Sequence, residues 1–272
     1  MSECTSCSSC ASTAALSRMG LDIGKYDYVV ALAGNPNTGK SSVFNQITGL
    51  RQHTGNWPGK TVTRAEGGYR FNGSRYKLVD LPGTYSLLSA AQDEEIARDF
   101  ILFGRPDCTV VVTDATCLER NLNLALQVLE ISEKVVVCVN LMDEARRKGL
   151  DVDVRALARD LGVPAVGTVA RTGEGLPELL NAVHDVVTGT TTPAPHRVLP
   201  DGDLQKSLAE LVPLIERAVP GVPNPRWIAM RLLDGDHNVQ QALLNGELAE
   251  IADRQHEPVP RIPLTIGMEG GQ

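Results

Sequence analysis

The chain has 272 residues, 42% hydrophobic and 22% charged, a balance that fits a globular protein of one large domain, or one medium domain plus a small one. A formal net charge of −7 and 4% aromatic residues argue against a nucleic-acid surface, which needs a basic face or a stacking platform, so no nucleic-acid partner is expected. No run approaches the ~18 apolar residues of a membrane helix, and the N-terminus lacks a basic-then-apolar export signal, so a soluble, cytoplasmic chain is expected.

Residues 1–26 read as a flexible lead-in. Cys4, Cys7 and Cys10 form C-x-x-C-x-x-C there, but a metal or cluster would need a fourth ligand that no neighbouring histidine supplies. A tail that binds nothing is the preferred reading. From residue 27 to 188, apolar runs alternate with amphipathic stretches. Strands are expected at 28–33, 68–71, 75–79, 108–113, 135–139 and 165–169, and helices at 40–48, 94–102, 121–131, 154–161 and 176–187. Asn72-Gly73 marks a hairpin between the second and third strands. This order predicts an α/β fold, the three-layer sandwich of a Ras-like P-loop GTPase, with a mostly parallel sheet and one antiparallel edge. Cys108 and Cys138 fall inside apolar runs, where cysteine acts as a small buried hydrophobe. A linker follows at 189–200. Residues 201–257 are helical in period, at 204–219, 226–233 and 239–253, and read as a small all-helical domain. The stretch 258–272 has no periodicity and reads as a tail leading into something longer.

The chemistry is concentrated in short strings at the ends of the expected strands. Gly34-Asn35-Pro36-Asn37-Thr38-Gly39-Lys40-Ser41 is a G-x-x-x-x-G-K-[ST] phosphate loop between a strand and a helix, with Ser42 next in the first turn. Such a turn aims backbone N–H groups and the positive end of a helix at one point, where a polyphosphate binds. Lys40 would reach the β- and γ-phosphates, and the Ser41 hydroxyl would ligate Mg²⁺. Asp80-Leu81-Pro82-Gly83 closes the third strand: the carboxylate can reach the Mg²⁺ shell, and the Gly83 amide can sense the γ-phosphate. Thr61, within Gly59-Lys60-Thr61, is the candidate first-switch threonine that completes the Mg²⁺ shell.

Asn140-Leu141-Met142-Asp143 follows the fifth strand. An Asp carboxylate accepts from guanine N1–H and the 2-amino group together, whereas adenine would leave Asp143 unpaired, which favours GTP over ATP. The run from Thr168 through Val169, Ala170 and Arg171 to Thr172 would place backbone N–H groups against the base. Thr84 occupies the position after Gly83 where many GTPases carry a water-orienting Gln, and no arginine finger is evident, so intrinsic hydrolysis is expected to be slow.

These strings, together with Gln52-His53-Thr54-Gly55-Asn56-Trp57-Pro58-Gly59, Asp80-Leu81-Pro82-Gly83-Thr84-Tyr85-Ser86-Leu87 and Arg226-Trp227-Ile228-Ala229-Met230-Arg231-Leu232-Leu233, resemble the cytosolic G domain and helical domain of FeoB, the bacterial ferrous iron transporter family. The resemblance implies a GTP-binding and GTP-hydrolysing regulatory domain that gates Fe(II) uptake. It implies a helical part that stabilises bound GDP, a C-terminal membrane domain beyond this chain, and a place on the cytoplasmic face of the bacterial inner membrane. It also implies potassium in place of an arginine finger, held by Asn37, Gly55 and Trp57. On this reading Asn37, Lys40, Thr61 and Gly83 carry catalysis, and self-association is left open. Lys60, where the family usually has an apolar residue, and Val169, in place of its usual Ser, depart from the pattern. One alternative is a GTPase acting in ribosome assembly or tRNA modification. Another is a catalytically silent nucleotide-binding scaffold, supported only by Thr84.

Overall fold

The computed structural model describes residues 16–17, 19–49, 52–88, 91–197, 201–246 and 248–249. The cysteine triplet and the 258–272 tail therefore lie outside the described residues. Seven strands form one sheet in the order β2-β3-β4-β1-β5-β6-β7. They are β1 (Tyr28–Gly34), β2 (Gln52–Asn56), β3 (Thr63–Phe71), β4 (Ser74–Asp80), β5 (Cys108–Asp114), β6 (Val135–Asn140) and β7 (Ala165–Gly167). β3 runs antiparallel to both β2 and β4, and every other pairing is parallel.

The helices are α1 (Lys40–Thr48), α2 (Gln92–Asp99), α3 (Leu118–Ile131), α4 (Met142–Arg147), α5 (Val154–Leu161), α6 (Leu176–Thr188), α7 (Gly202–Ala218), α8 (Pro225–Leu233) and α9 (His237–Leu244). Alternation along the strands divides the core in two. Val30, Leu32, Leu78 and Val110 pack with α1 and α6 on one face. Val29, Ala31, Val79 and Val111 pack with α2, α3 and the helical segment on the other. Buried Cys108 and Cys138 take their expected places as core residues, and burial pushes the Cys138 thiol up to about 12.

Four expectations need correction. The 68–71 strand is the end of the longer β3, and β2, where no strand is expected, pairs along it over five residues. β2 was missed because Gln52-His53-Thr54-Gly55-Asn56 has no apolar alternation, and pairing with β3 overrides weak propensity. Helix α4 was also missed: it lasts under two turns and directly follows a strand. The lead-in does not stay free as far as residue 26. Leu16 and Leu21 are buried in the core, and the Asp27 amide donates to the Arg75 carbonyl (2.8 Å), so the strap 19–27 is part of the packed fold. The hairpin forms as expected, with Asn72 and Gly73 at φ 46° and 81°.

The helical segment docks through the C-terminal end of α3. Asn224 caps α8 by accepting from the Trp227 amide (3.0 Å), and its Nδ2 donates to the Glu130 and Ile131 carbonyls. Arg226 pairs with Glu130 at 2.8 Å. The 189–200 connection is tied down too, since the Ala194 and His196 amides donate to the Gly162 and Leu161 carbonyls.

Candidate functional site

β1, β4, β6 and β7 run parallel, so their carboxyl ends open on one edge of the sheet, and the loops leaving them are the strings singled out above. The phosphate loop leaves β1 with Asn37 and Gly39 at φ 67° and 80°. Asn tolerates this left-handed backbone, and Gly39 is required, because a Cβ there would collide with Asn140 Nδ2. Gly34 is required for a different reason: a Cβ would lie 2.7 Å from the Val112 carbonyl of β5.

Lys40 reaches across to β4, where its ammonium pairs with the Asp80 carboxylate and donates to the Leu81 carbonyl (2.7 Å). Burial raises the Asp80 pKa and the Lys40 charge offsets part of that rise. Gly83 lies against Pro36, and the Thr84 amide donates to the Gly34 carbonyl (3.3 Å), so the second switch starts in contact with the phosphate loop. Thr84 itself is buried, and its hydroxyl donates to the Ser86 carbonyl (2.6 Å). It acts as a loop tie. Both amide atoms of Asn35 are buried without a hydrogen-bond partner, an expensive arrangement in a loop whose chemistry is to hold a ligand.

Asn140 joins the two ends of the site. Its Nδ2 donates to the Thr38 carbonyl (2.9 Å), while its Oδ1 accepts from the Ala170 amide (3.0 Å) and the Thr168 hydroxyl (3.2 Å). Its side chain thus ties the phosphate loop to the loop after β7, using one of the two Nδ2 donors and the oxygen. The Val169 amide donates to the Glu174 carbonyl (2.9 Å), so it and the Ala170 amide are engaged in shaping the loop after β7. Asp143 is about a quarter exposed and accepts from Arg171 (3.2 Å) at the rim of a cavity of ≈ 510 Å³ bordered by Gly39, Ser42, Asn45, Asp143 and Arg171. Gln46 of α1, which the motifs did not flag, donates to the Arg171 carbonyl across this cavity (3.4 Å).

The first switch is displaced from this centre. Gly55 belongs to edge strand β2, three places from β1, or about 14 Å at the usual strand spacing. Pro58 and Gly59 (φ 68°) form a type II turn in which the Trp57 carbonyl accepts from the Lys60 amide (3.0 Å). The Trp57 ring is buried against Phe100, with centroids 5.5 Å apart. Lys60 pairs with Glu95 of α2 at 3.4 Å, and Thr61 is exposed. The structure thus brings together Lys40, Asp80 and Gly83, and separately Asn140 and Asp143, but leaves Gly55, Trp57 and Thr61 on the outer edge. The tail of the second switch is held by two residues that the motifs missed. Gln127 Oε1 accepts from the Leu87 amide (2.7 Å), and Arg231 of α8 donates to the Leu88 carbonyl (2.9 Å). Gln127 belongs to no string, and Arg231 lies in the string that begins at Arg226 with no role assigned to it there, so only their long-range contacts reveal what they hold.

A phosphate loop coupled to a base loop on this sheet decides the comparison with known proteins. The family model for ferrous iron transport protein B matches residues 28–183, and that for the FeoB cytosolic helical domain matches residues 201–259. The chain belongs to the FeoB family. It is 38% identical over 232 residues to the Fe(2+) transporter FeoB of Salmonella typhimurium, covering 82% of this chain and 29% of that protein. Against the Escherichia coli K12 transporter it is 38% identical over 211 residues, 76% of this chain and 27% of that one. The chain therefore spans under a third of the length of these relatives. The crystallised cytosolic domain of T. maritima FeoB in a GDP form superposes with a TM-score of 0.74 at 34% identity, covering 84% of this chain and 93% of that one. A GDP-bound mutant of S. thermophilus NFeoB gives 0.72 at 33% identity, covering 84% and 88%. These matches show the P-loop GTPase fold followed by a helical domain.

Proposed function

We propose that the chain binds GTP, hydrolyses it slowly to GDP, and serves as the regulatory portion of a bacterial ferrous iron transporter. The observation that carries this is the linkage of Asn140 to Thr38 at one end and Ala170 at the other. It makes phosphate loop and base loop one rigid site, of the kind that grips a polyphosphate and inspects its purine. The matched spans support dividing the chain into a nucleotide domain over 27–188 and a helical domain over 201–257. The lengths of the relatives support a following membrane domain as partner, with this chain at the cytoplasmic face of the inner membrane and Fe(II) as cargo.

Residues that would hold Mg²⁺ are Ser41 at the start of α1, Asp80 and, after movement of the first switch, Thr61. Asp80 fits the role: a carboxylate disfavoured by burial gains from a nearby cation. Mg²⁺ bound there would neutralise phosphate charge. Potassium bound by Asn37 with the Gly55 and Trp57 carbonyls would add positive charge where negative charge grows in hydrolysis. With Thr84 engaged on Ser86, the chain itself offers no side chain at that position to orient water, consistent with slow turnover.

Calorimetry tests the binding claim. GTP and GDP should bind with Mg²⁺ and adenine nucleotides should bind ~100-fold more weakly. Asp143→Asn should erase that preference, and Lys40→Ala should cost roughly 10–100-fold in GTP affinity. Turnover should be faster in potassium than in sodium, with the difference absent in Asn37→Ala. Equal affinity for guanine and adenine nucleotides would overturn the proposal.

A further inference from the structure

On most of the sheet face that carries Val29, Val79 and Val111, apolar strand residues meet helices. At the antiparallel edge the same face carries charge instead: Arg64 and Glu66 of β3 and Lys77 of β4. Glu66 pairs with both cations, and all three side chains are at most 13% exposed. They are covered by the strap 19–27 with residues 16–17 before it, N-terminal to the span that the family model matches. Arg64 donates to the Met19 (2.6 Å) and Gly20 (2.9 Å) carbonyls, and Lys77 donates to the Asp22 carbonyl (2.7 Å). The facing surface is shaped for the strap: a Cβ on Gly68 of β3 would lie 2.7 Å from the Tyr26 hydroxyl, and one on Gly104, at the end of the helical turn Phe100–Gly104 after α2, would lie 3.2 Å from both Leu16 and Met19.

The strap also reaches the first switch. Gly20, at φ 78°, sits so close to Pro58 that a Cβ would lie 3.2 Å from the ring. The Arg64 guanidinium that binds the strap carbonyls lies 5.2 Å from the Trp57 ring centroid, and Trp57 packs on Phe100 beneath. The strap, Arg64, Trp57 and Phe100 are therefore continuous, and they exist in a pose that leaves Thr61 exposed.

We propose that the strap is a built-in clasp that binds the first switch in its open position and opposes the GTP-bound arrangement. This rests on the nucleotide reading above. If Thr61 must swing in to meet Mg²⁺ and triphosphate, the Pro58 and Trp57 contacts have to release. Interactions made only in the open state lower apparent affinity for GTP by the fraction of molecules that are open, and leave GDP affinity untouched.

The two tryptophans, Trp57 and Trp227, make the test direct. In a Trp227→Phe background, acrylamide quenching reports exposure of Trp57 in the full chain without nucleotide. Gly20→Val pushes the strap from Pro58, and Leu21→Ala weakens its apolar anchor. Both should raise the quenching constant about threefold and strengthen binding of guanosine 5′-(β,γ-imido)triphosphate with Mg²⁺ about five- to tenfold, with GDP affinity within about twofold. Leu21→Met, which refills the pocket, should restore wild-type behaviour. Unchanged quenching and an unchanged ratio of the two affinities, or equal weakening of both nucleotides, would overturn the clasp. A parent chain that binds neither nucleotide would sink the nucleotide reading separately, and quenching, read without nucleotide, would still decide whether the strap covers Trp57.

Discussion

The floor of the site and its two switches are held by different kinds of contact. In the floor, Asn140 bonds main-chain groups of two other loops, and glycines sit where any Cβ would strike a neighbour. Such a region has one arrangement. The switches are held by side chains that can let go: Lys60 on Glu95, Arg64 on the strap, and Gln127 and Arg231 on the tail of the second switch. On the proposed function, a protein that grips a nucleotide constantly and reports its state transiently needs both, so breaking each kind of contact should give different results.

The largest effect is expected at Arg231→Met. It leaves Asp236, whose side chain is 9% exposed, without its guanidinium, and frees the Leu88 carbonyl. Breaking a buried pair from one side costs about 3–5 kcal/mol. Thermal denaturation should fall accordingly, and the ratio of GTP-analogue to GDP affinity should change. Asn140→Ala removes three hydrogen bonds and should cost about 2–4 kcal/mol. Here GDP and GTP affinities should fall together, because the floor serves both; a selective loss of one would break the comparison. Gly39→Ala forces a side chain into left-handed backbone, costing about 1–2 kcal/mol, and pushes Asn140 aside, so it should mimic Asn140→Ala more weakly.

Lys60→Val should change melting little, by ~0.5 kcal/mol or less for a partly exposed pair, yet speed departure of the first switch from its open pose in relaxation measurements. The smallest effect is the pH dependence of the exposed Asp27–Arg75 pair at the base of the strap. The side-chain hydrogen bond from Arg75 lowers the Asp27 pKa below 3.8. Its contribution is therefore fully present above that value and lost as pH falls through the lower folded pKa. Asp27→Asn should flatten that part of an acid titration, and an unaltered titration would remove the pair from the account.

Legibility in the sequence followed the same division. β1, β5 and β6 could be read because buried parallel strands are continuous apolar runs such as Val135-Val136-Val137-Cys138-Val139. The phosphate loop and Asp80 could be read because their spacing is fixed by local geometry. β2 could not, since its residues become a strand only by pairing with β3. Nor could the internal bonds of Asn140, Val169 and Ala170: their polar groups look available in a linear string, but in the fold Asn140 bonds Thr38 and Ala170, and Val169 bonds Glu174.

The order of amino acids alone determined the alternating architecture, the position of the glycine-rich turn between β1 and α1 and that of Asp143 just after β6, because these depend on contacts within a few residues or on periodic burial. Tertiary structure alone decided where the first switch rests, that residues 19–27 are a packed strap, and that Arg231 touches the second switch. Those outcomes join groups tens to more than a hundred residues apart, as with Arg231 and Leu88 at a separation of 143. Only closure of the whole sheet brings such partners within bonding distance.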